Sequence, residues 1–182
     1  MSTRDIVYIA LFAALTAALG LFPPLTVPVV AVPVTAQSMG VMLAGAIAGA
    51  RRGGGALLLF VVLVAAGLPL MAGGRGGFGV LLGPSGGFIL MWPVVAFMIG
   101  FFYEKNLGRL TPLREFTILV LAGIALLYAV GVPWVALVAK IDLLKAAIGS
   151  AAFLPADVVK AVLVVLIARA VRRAYPILEA RA

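Results

Sequence analysis

Charged residues divide this chain into long apolar segments. The first runs from Ile6 to Ala50, 45 residues without a charge. As one helix it would be about 68 Å long, more than twice the roughly 30 Å hydrocarbon core of a bilayer. The segment must therefore break, and its prolines indicate where, because proline lacks an amide donor and disfavours helix at the preceding residue. These prolines are Pro23, Pro24, Pro28 and Pro33.

The apolar pattern predicts six transmembrane helices in one all-α membrane domain over residues 1–182. An apolar, Pro-rich re-entrant outer loop follows the first helix as far as Val34, and a Gly-rich outer loop, 73–87, lies between the third and fourth. Pro155 fits the first turn of the last helix, and Pro133 allows a kink in the fifth. The predicted spans are Ile6–Leu21, Ala36–Ala50, Gly53–Leu68, Gly86–Tyr103, Phe116–Ala139 and Phe153–Ala168.

The composition agrees with a membrane protein and excludes several kinds of site. Of 182 residues, 65% are hydrophobic and 11% charged. A soluble domain of this size has too little interior for so much apolar surface. The chain has no Cys and no His. It therefore lacks disulfides, thiolate or imidazole metal sites and a histidine general base, and we expect no metal site.

The net charge of +8 predicts the orientation in the membrane. Six spans place both termini on one side, and basic residues collect on the cytoplasmic side. With cytoplasmic termini in the plasma membrane, that side holds Arg4, Arg51, Arg52, Lys105, Arg109, Arg114, Arg169, Arg172, Arg173 and Arg181. The outer side holds only Arg75, Lys140 and Lys145, and Lys160 lies inside a span. The positive-inside rule therefore favours cytoplasmic termini.

Asp157 and Lys160 lie inside the last predicted span, three residues apart and so on one face of the helix. Their depth is roughly 5 and 10 Å below its outer end. An ionisable group there costs at least a few kcal/mol unless it is paired or faces a polar cavity. The two either neutralise each other or line an outward-opening pocket for a ligand. We favour the pocket, since an isolated ion pair in lipid is a net cost relative to two leucines.

The outer loops could form a lid and a rim around such a pocket. Arg75 stands among glycines in the sequence GGRGG, where backbone amides and a guanidinium suit a carboxylate. Alternatively, it satisfies helix-end carbonyls. Gln37, at the outer start of the second helix, can both donate and accept in the same mouth, or it is an ordinary helix-end polar residue.

Two further patterns concern energy supply and partners. The segment GRGGFG fits G-x-G-x-x-G but lacks a surrounding βαβ unit, and no Gly-Lys dipeptide exists for a P-loop, so the chain has no ATPase motif of its own. Small-residue stripes let helices approach closely. For Gly45 and Gly49 we expect packing within the chain. For Ala10, Ala14 and Ala18, packing within the chain and contact with another subunit remain open alternatives.

Three segments together resemble a known family. VPVTAQSMGVMLAGAIAGARRG, GLPLMAGGRGGFGVLLGPSGGF and FLPADVVKA look like the BioY family, the biotin-binding S-components of energy-coupling-factor (ECF) type transporters. The resemblance covers roughly residues 5–172. It implies six transmembrane helices and an outward-facing biotin pocket capped by the loop after helix 1. It also implies a partner module of one transmembrane coupling protein and two cytoplasmic ATPases, contacted through small residues of helix 1.

The resemblance implies that the ligand-binding residues are Gln37, Arg75, Gly76, Gly77, Asp157 and Lys160. Asp157 can accept hydrogen bonds from the ureido N–H groups of biotin, and Lys160 can donate to the ureido carbonyl or to the carboxylate. Candidate aromatic walls are Phe22, Phe78, Phe88 and Trp92. The chain has Ala156 where the family commonly has Gly and Ser85 where Thr is common, which affects the geometry near the helix start but removes no charge.

The sequence therefore predicts biotin capture from outside the cell for ATP-driven import, with biotin as transported ligand and no cofactor. Two alternatives remain. A membrane hydrolase could use Ser85 or Ser150 as nucleophile and Lys160 as base, although Asp157 one turn away would keep that lysine charged. A structural membrane subunit would need the small-residue stripes and would bind no small molecule.

Overall fold

The computed structural model describes residues 1–27, 32–175 and 177–178, which form helices and one small hairpin. The predicted loop residue Pro28 and the predicted cytoplasmic Arg181 lie outside the described residues. The strands β1 (Leu25–Val27) and β2 (Val32–Val34) pair antiparallel, with Leu25 opposite Val34. The helices are α1 (Thr3–Leu19), α2 (Gln37–Ala48), α3 (Ala50–Ala65), α4 (Phe78–Leu82), α5 (Gly86–Lys105), α6 (Pro112–Ala139), α7 (Leu143–Ala151) and α8 (Leu154–Ala174).

Local capping explains several helix starts. Ser2 and Asp5 form a reciprocal capping box at the start of α1. The Thr111 side chain accepts from the Arg114 amide before α6, and Asp142 accepts from the Leu144 amide before α7. Each cap satisfies a backbone donor that the first turn of a helix leaves without a partner. These starts are therefore encoded locally in the sequence.

Gly49 separates α2 from α3. Its φ of +88° is in the left-handed region, and a Cβ there would meet the Glu104 carboxylate. Glu104 Oε1 also accepts from the Ala50 amide at 2.8 Å, which fixes the start of α3. Arg51 and Arg52 consequently lie in the first turn of α3. The predicted boundary, with Arg51 and Arg52 ending the second span and the third starting at Gly53, was wrong.

The core forms where α3 and α5 pack together, with α1, α2 and α6 around them. Leu57, Phe60 and Ile99 are fully buried there. The predicted packing of Gly45 within the chain is confirmed, because a Cβ at this position would lie 2.5 Å from the Ala96 carbonyl oxygen. The absence of a side chain thus lets α2 approach α5.

Among the described helices, α5 and α6 are long and apolar enough to cross a bilayer. α7 and α8 supply a third crossing if they count as one span, bent by 49° at the break between them. α2 is apolar but shorter than a typical span. Seven residues of α6, Leu119–Ala125, form a π-helical segment. This irregular part of the helix precedes Pro133, the position where a kink was predicted.

Several other predicted boundaries and loops differ from the structure. The Pro-rich loop contains β1 and β2, and the Gly-rich segment contains the short helix α4. α6 begins at Pro112 rather than Phe116, because Thr111 caps it. α7 is a separate helix before the predicted last span, and α8 continues to Ala174 rather than ending near Ala168. The predicted start at Gly86 and the predicted end at Ala139 are confirmed.

The extension of α8 has an electrostatic explanation. Glu115 on α6 is completely buried, and its Oε1 accepts from Arg169 Nη1 at 2.8 Å and from Arg172 Nη2 at 2.6 Å. Tyr103 on α5 donates its hydroxyl to Oε2 at 3.4 Å. These contacts hold the basic end of α8 against α6. They therefore favour helical structure as far as Arg169 and Arg172.

Candidate functional site

A cavity lies between β2, α2, α5, α6 and α8. Its polar lining residues are Thr35, Ser38, Arg75, Ser85, Tyr128, Asp157 and Lys160. Its apolar lining residues are Val32, Pro33, Val34, Met71, Phe88, Ile89, Trp92, Leu127 and Phe153.

Asp157 and Lys160 form an ion pair on the cavity wall. Lys160 Nζ lies 2.9 Å from Asp157 Oδ1, and the two side chains are only 13% and 10% exposed. Pro155 lies in the first turn of α8, so the helix begins just before the carboxylate. The prediction that both side chains share one face is confirmed.

Two hydroxyl groups that the sequence pattern did not indicate complete this cluster. Tyr128 on α6 donates to Asp157 Oδ2 at 2.7 Å. Ser38 on α2 accepts from Lys160 Nζ at 2.9 Å and lies 3.4 Å from Asp157 Oδ1. One available signal was that Tyr128 is the only tyrosine in the apolar stretch 116–139. The ion pair is therefore held by three helices.

Arg75 reaches the cavity from the Gly-rich loop. Its backbone pairs with Met71 in a tight turn, and its Nε donates to the Ala72 carbonyl at 3.2 Å. Its Nη2 atom is buried and has no hydrogen-bond partner within the described part of the chain. A buried guanidinium N–H without an acceptor is costly. This atom is therefore suited to an anionic group of a ligand.

Gly76 and Gly77 shape the loop and do not line the cavity. A Cβ on Gly76 would lie against the Leu68 carbonyl, so only glycine fits this close approach. Gly77 has a φ of +90° and donates its amide to the Val64 carbonyl at 2.8 Å. The structure thus gives both glycines a role in forming the Arg75 loop, and direct ligand binding by them stays a prediction.

Gln37 lies behind the cavity wall rather than on it. Its side chain is fully buried, with Nε2 donating to the Thr16 and Leu70 carbonyls at 3.2 and 2.9 Å. Its Oε1 accepts from the Ala72 amide at 2.9 Å. Gln37 therefore connects α1 and α2 to the loop that carries Arg75. Direct contact between Gln37 and a ligand stays a prediction.

The predicted aromatic walls divide into two groups. Phe88 and Trp92 on α5 line the cavity, and Phe88 packs edge-on against Tyr128 with ring centroids 5.7 Å apart. Phe22 and Phe78 are 61% and 63% exposed and do not line it. Phe153, just before α8, lines the cavity instead.

The serines predicted for a Ser/Lys dyad do not contact Lys160. Ser85 lines the cavity, and Ser150 is buried outside its lining. Lys160 instead contacts Ser38 and Asp157. Within the described residues, no group of three metal-ligating side chains comes together.

A separate surface runs along α1. Ala10, Ala14 and Ala18 are exposed, whereas Phe12 and Thr16 are buried against the rest of the chain. Within the described chain, the alanine stripe therefore does not pack against another helix. Contact of this exposed face with another subunit stays a prediction.

Known proteins resemble this chain over almost its whole length. The family model described as the BioY family matches residues 1–177. Proteins named biotin transporter BioY from Rhizobium etli and Rhodobacter capsulatus are 46% and 41% identical, covering 100% and 95% of both chains. The crystal structure of the S-component for biotin from an ECF-type ABC transporter matches with a TM-score of 0.90 and 34% identity, covering 95% of each chain. The chain belongs to the BioY family.

Proposed function

We propose that this membrane protein is the substrate-binding component of a biotin uptake transporter and binds biotin in the cavity beside α8. The similar proteins are named biotin transporters, and the similar crystal structure is that of an S-component for biotin. They are transport proteins and not enzymes, so the hydrolase alternative has no support. The observation that carries the proposal is the hydrogen-bonded Asp157–Lys160 pair on the wall of an otherwise largely apolar cavity.

The chemistry of the cavity suits the two polar ends of biotin. Asp157 can accept from the ureido N–H groups, and Lys160 can donate to the ureido carbonyl or to the carboxylate. Arg75 offers a second cation, with a buried N–H that has no acceptor among the described residues. Phe88 and Trp92 supply apolar surface for the fused rings and the chain. The direct ligand contacts of these residues are part of the proposal.

The membrane arrangement is also a proposal. Six crossings by α1, α2, α3, α5, α6 and the α7–α8 pair would place both termini in the cytoplasm of a cell whose plasma membrane holds the protein. Arg51, Arg52, Arg169 and Arg172 would then lie at the cytoplasmic ends of α3 and α8. In this arrangement the cavity opens outward and β1 and β2 contribute to its lid.

Calorimetric titration with biotin tests the site directly. We expect Asp157→Asn or Lys160→Ala to weaken binding by about 10- to 150-fold, because each variant loses a charged hydrogen-bonding group that faces the ligand, worth about 1.5–3 kcal/mol. Asp142→Asn and Lys145→Ala are matched controls, since these residues have the same types and spacing on the exposed start of α7. Titrations of the two site variants that match the wild type would refute the site assignment.

A panel of vitamins tests the ligand independently of the site. A ligand that binds only the folded protein raises its melting temperature as its concentration rises above Kd. We expect biotin to protect the purified protein and the other vitamins to have no effect. Protection by no member of the panel would favour the structural-subunit alternative.

The exposed alanines are proposed to contact an energy-coupling module of one transmembrane coupling protein and two cytoplasmic ATPases. Ala14→Leu would prevent close helix approach while leaving the cavity unchanged. We expect it to abolish ATP-dependent uptake and co-purification with the module but to keep the biotin affinity. Ala151→Leu, at an exposed alanine of α7, is the control. Wild-type uptake in the Ala14 variant would contradict this contact.

A further inference from the structure

A second groove lies at the end of the molecule that carries Arg51 and Arg52, away from the cavity. α1, α3, the last turn of α5 and the C-terminal residues Ile177 and Leu178 form its walls. Its lining includes the basic residues Arg4, Arg51, Arg52 and Lys105 and the acidic residues Asp5 and Glu104. Biotin binding, as proposed above, makes no use of this groove.

The groove has an apolar floor supplied by one face of α3. Gly55, Leu58, Leu59 and Val62 line it at the i, i+3, i+4 and i+7 spacing of a helix face. Leu58 and Val62 are 57% and 54% exposed, so no other described part of the chain covers them. From Arg51 to Val62 the helix rises by about 17 Å. That length is close to half of the roughly 30 Å hydrocarbon core, the depth of one leaflet.

At the rim of the groove, the acidic side chains have hydrogen-bond partners, whereas some of the basic side chains have no ion-pair partner among the described residues. Asp5 accepts from Arg52 Nε at 2.7 Å, and Glu104 accepts from the Ala50 amide at 2.8 Å. Arg51 is exposed and has no ion-pair partner within the described residues. Lys105 is exposed with Nζ 4.6 Å from the centre of the Phe101 ring. Both acids are therefore engaged, while two exposed cations remain at the rim.

We propose that this groove binds one anionic phospholipid, with its phosphate at Arg51 and Lys105 and an acyl chain along Leu58 and Val62. Basic pockets between membrane helices attract anionic headgroups. The basic rim matches the anionic headgroup of such a lipid. The exposed apolar face below it, one leaflet deep, matches the acyl chain. A soluble anion would use the rim but would gain nothing from the floor.

The lipid site and the proposed contact with a coupling module lie on different sides of α1. With about 100° per residue, Asp5, Tyr8 and Ile9 lie on the side facing the groove, and Ala10 and Ala14 lie well away from them. The alanines do not line the groove. The two contacts can therefore be separated by substitution.

Native mass spectrometry of the full chain in neutral detergent tests the proposal. We expect one tightly bound phosphatidylglycerol and weaker binding of phosphatidylcholine with the same acyl chains. Arg51→Gln combined with Lys105→Gln should weaken phosphatidylglycerol binding by about 25-fold, since each basic residue near anionic lipid contributes about fivefold. Arg109→Gln combined with Arg173→Gln is the matched control, because both residues are exposed outside the groove lining.

A second pair of variants tests the acyl-chain part. Leu58→Trp should obstruct the floor and weaken lipid binding, whereas Leu166→Trp, at a residue 60% exposed on α8, should not. An unchanged melting temperature and biotin affinity would show that each variant is folded. Equal binding of the two lipids, or equal loss in the groove and control variants, would overturn the proposal. So would groove variants that keep the lipid and lose only a partner protein.

Discussion

Tyr128 on α6 donates its hydroxyl to Oδ2 of Asp157 on α8 over a distance of 2.7 Å. The other carboxylate oxygen, Oδ1, contacts Lys160 at 2.9 Å and Ser38 at 3.4 Å. The carboxylate is therefore held from two sides by three helices. Its orientation in the cavity depends on the packing of α6 against α8 as well as on the i,i+3 spacing within α8.

We expect Tyr128→Phe to weaken biotin binding by about tenfold or more, because a hydrogen bond to a charged group contributes about 1.5–3 kcal/mol. Titration calorimetry measures this loss. Tyr103→Phe is the control, since Tyr103 also donates to a buried carboxylate, Glu115, outside the cavity. Equal affinities of the two variants would mean that the Tyr128 hydroxyl does not orient Asp157 for binding.

Arg75 is predicted to recognise the biotin carboxylate. Arg75→Gln should lower the biotin affinity but hardly change the affinity for biotin methyl ester, which lacks the negative charge. We expect Arg75→Ala to lose less biotin affinity than Asp157→Asn or Lys160→Ala, because water partly replaces a guanidinium that is not fully buried. Competition binding with the acid and the ester measures both effects.

The same comparison separates Arg75 from Lys160. If the wild type prefers the acid and Lys160→Ala removes that preference while Arg75→Gln keeps it, the carboxylate is held by Lys160. Ser85→Ala is a suitable control, because Ser85 also lines the cavity but carries no charge. That control should retain the preference for the acid.

The sequence predicted the ion pair because its geometry is local. Asp157 and Lys160 are three residues apart on one helix, and helical periodicity alone brings them together. Tyr128 and Ser38 are 29 and 119 residues away from Asp157 along the chain. Their contacts depend on how α2, α6 and α8 pack. A pattern within one segment carries no information about that packing.

The helix boundaries also divide into those that the local sequence predicts and those that depend on distant residues. Gly86 was predicted as a helix start from the preceding Gly- and Pro-rich segment, and α5 begins there. Ala50 was not predicted as the start of α3, because this start depends on the positive φ of Gly49 and on Glu104, which is 54 residues away. Extension of α8 likewise depends on Glu115 in another helix. Long-range contacts therefore contribute to these two boundaries, whereas the missed start of α6 at Pro112 follows from the local Thr111 cap.

Gln37 is predicted to position Arg75 rather than only to fill space. Gln37→Leu removes the acceptor of the Ala72 amide and the donor to the Leu70 carbonyl, and each buried group left without a partner costs about 1–3 kcal/mol. We expect a lower melting temperature and a reduced preference for biotin over its methyl ester. Thr117→Val, which removes an exposed hydroxyl on α6, is the control. A loss of stability with full preference for the acid would assign Gln37 to structure alone.

Glu115 is predicted to affect stability without affecting the ligand. Glu115→Gln would remove the negative charge that pairs with both Arg169 and Arg172. These arginines are 27% and 22% exposed. We therefore expect the free energy of unfolding to fall by about 2 kcal/mol, less than for a fully buried pair. Arg169 is nine residues from Lys160 on α8, about 14 Å along the helix, so the biotin affinity of the folded variant should match the wild type. Glu104→Gln is the control, because the glutamine oxygen can still accept from the Ala50 amide. Thermal unfolding and biotin titration of both variants separate the two effects, and a weakened affinity in Glu115→Gln would mean that this ion cluster and the cavity are coupled through α8.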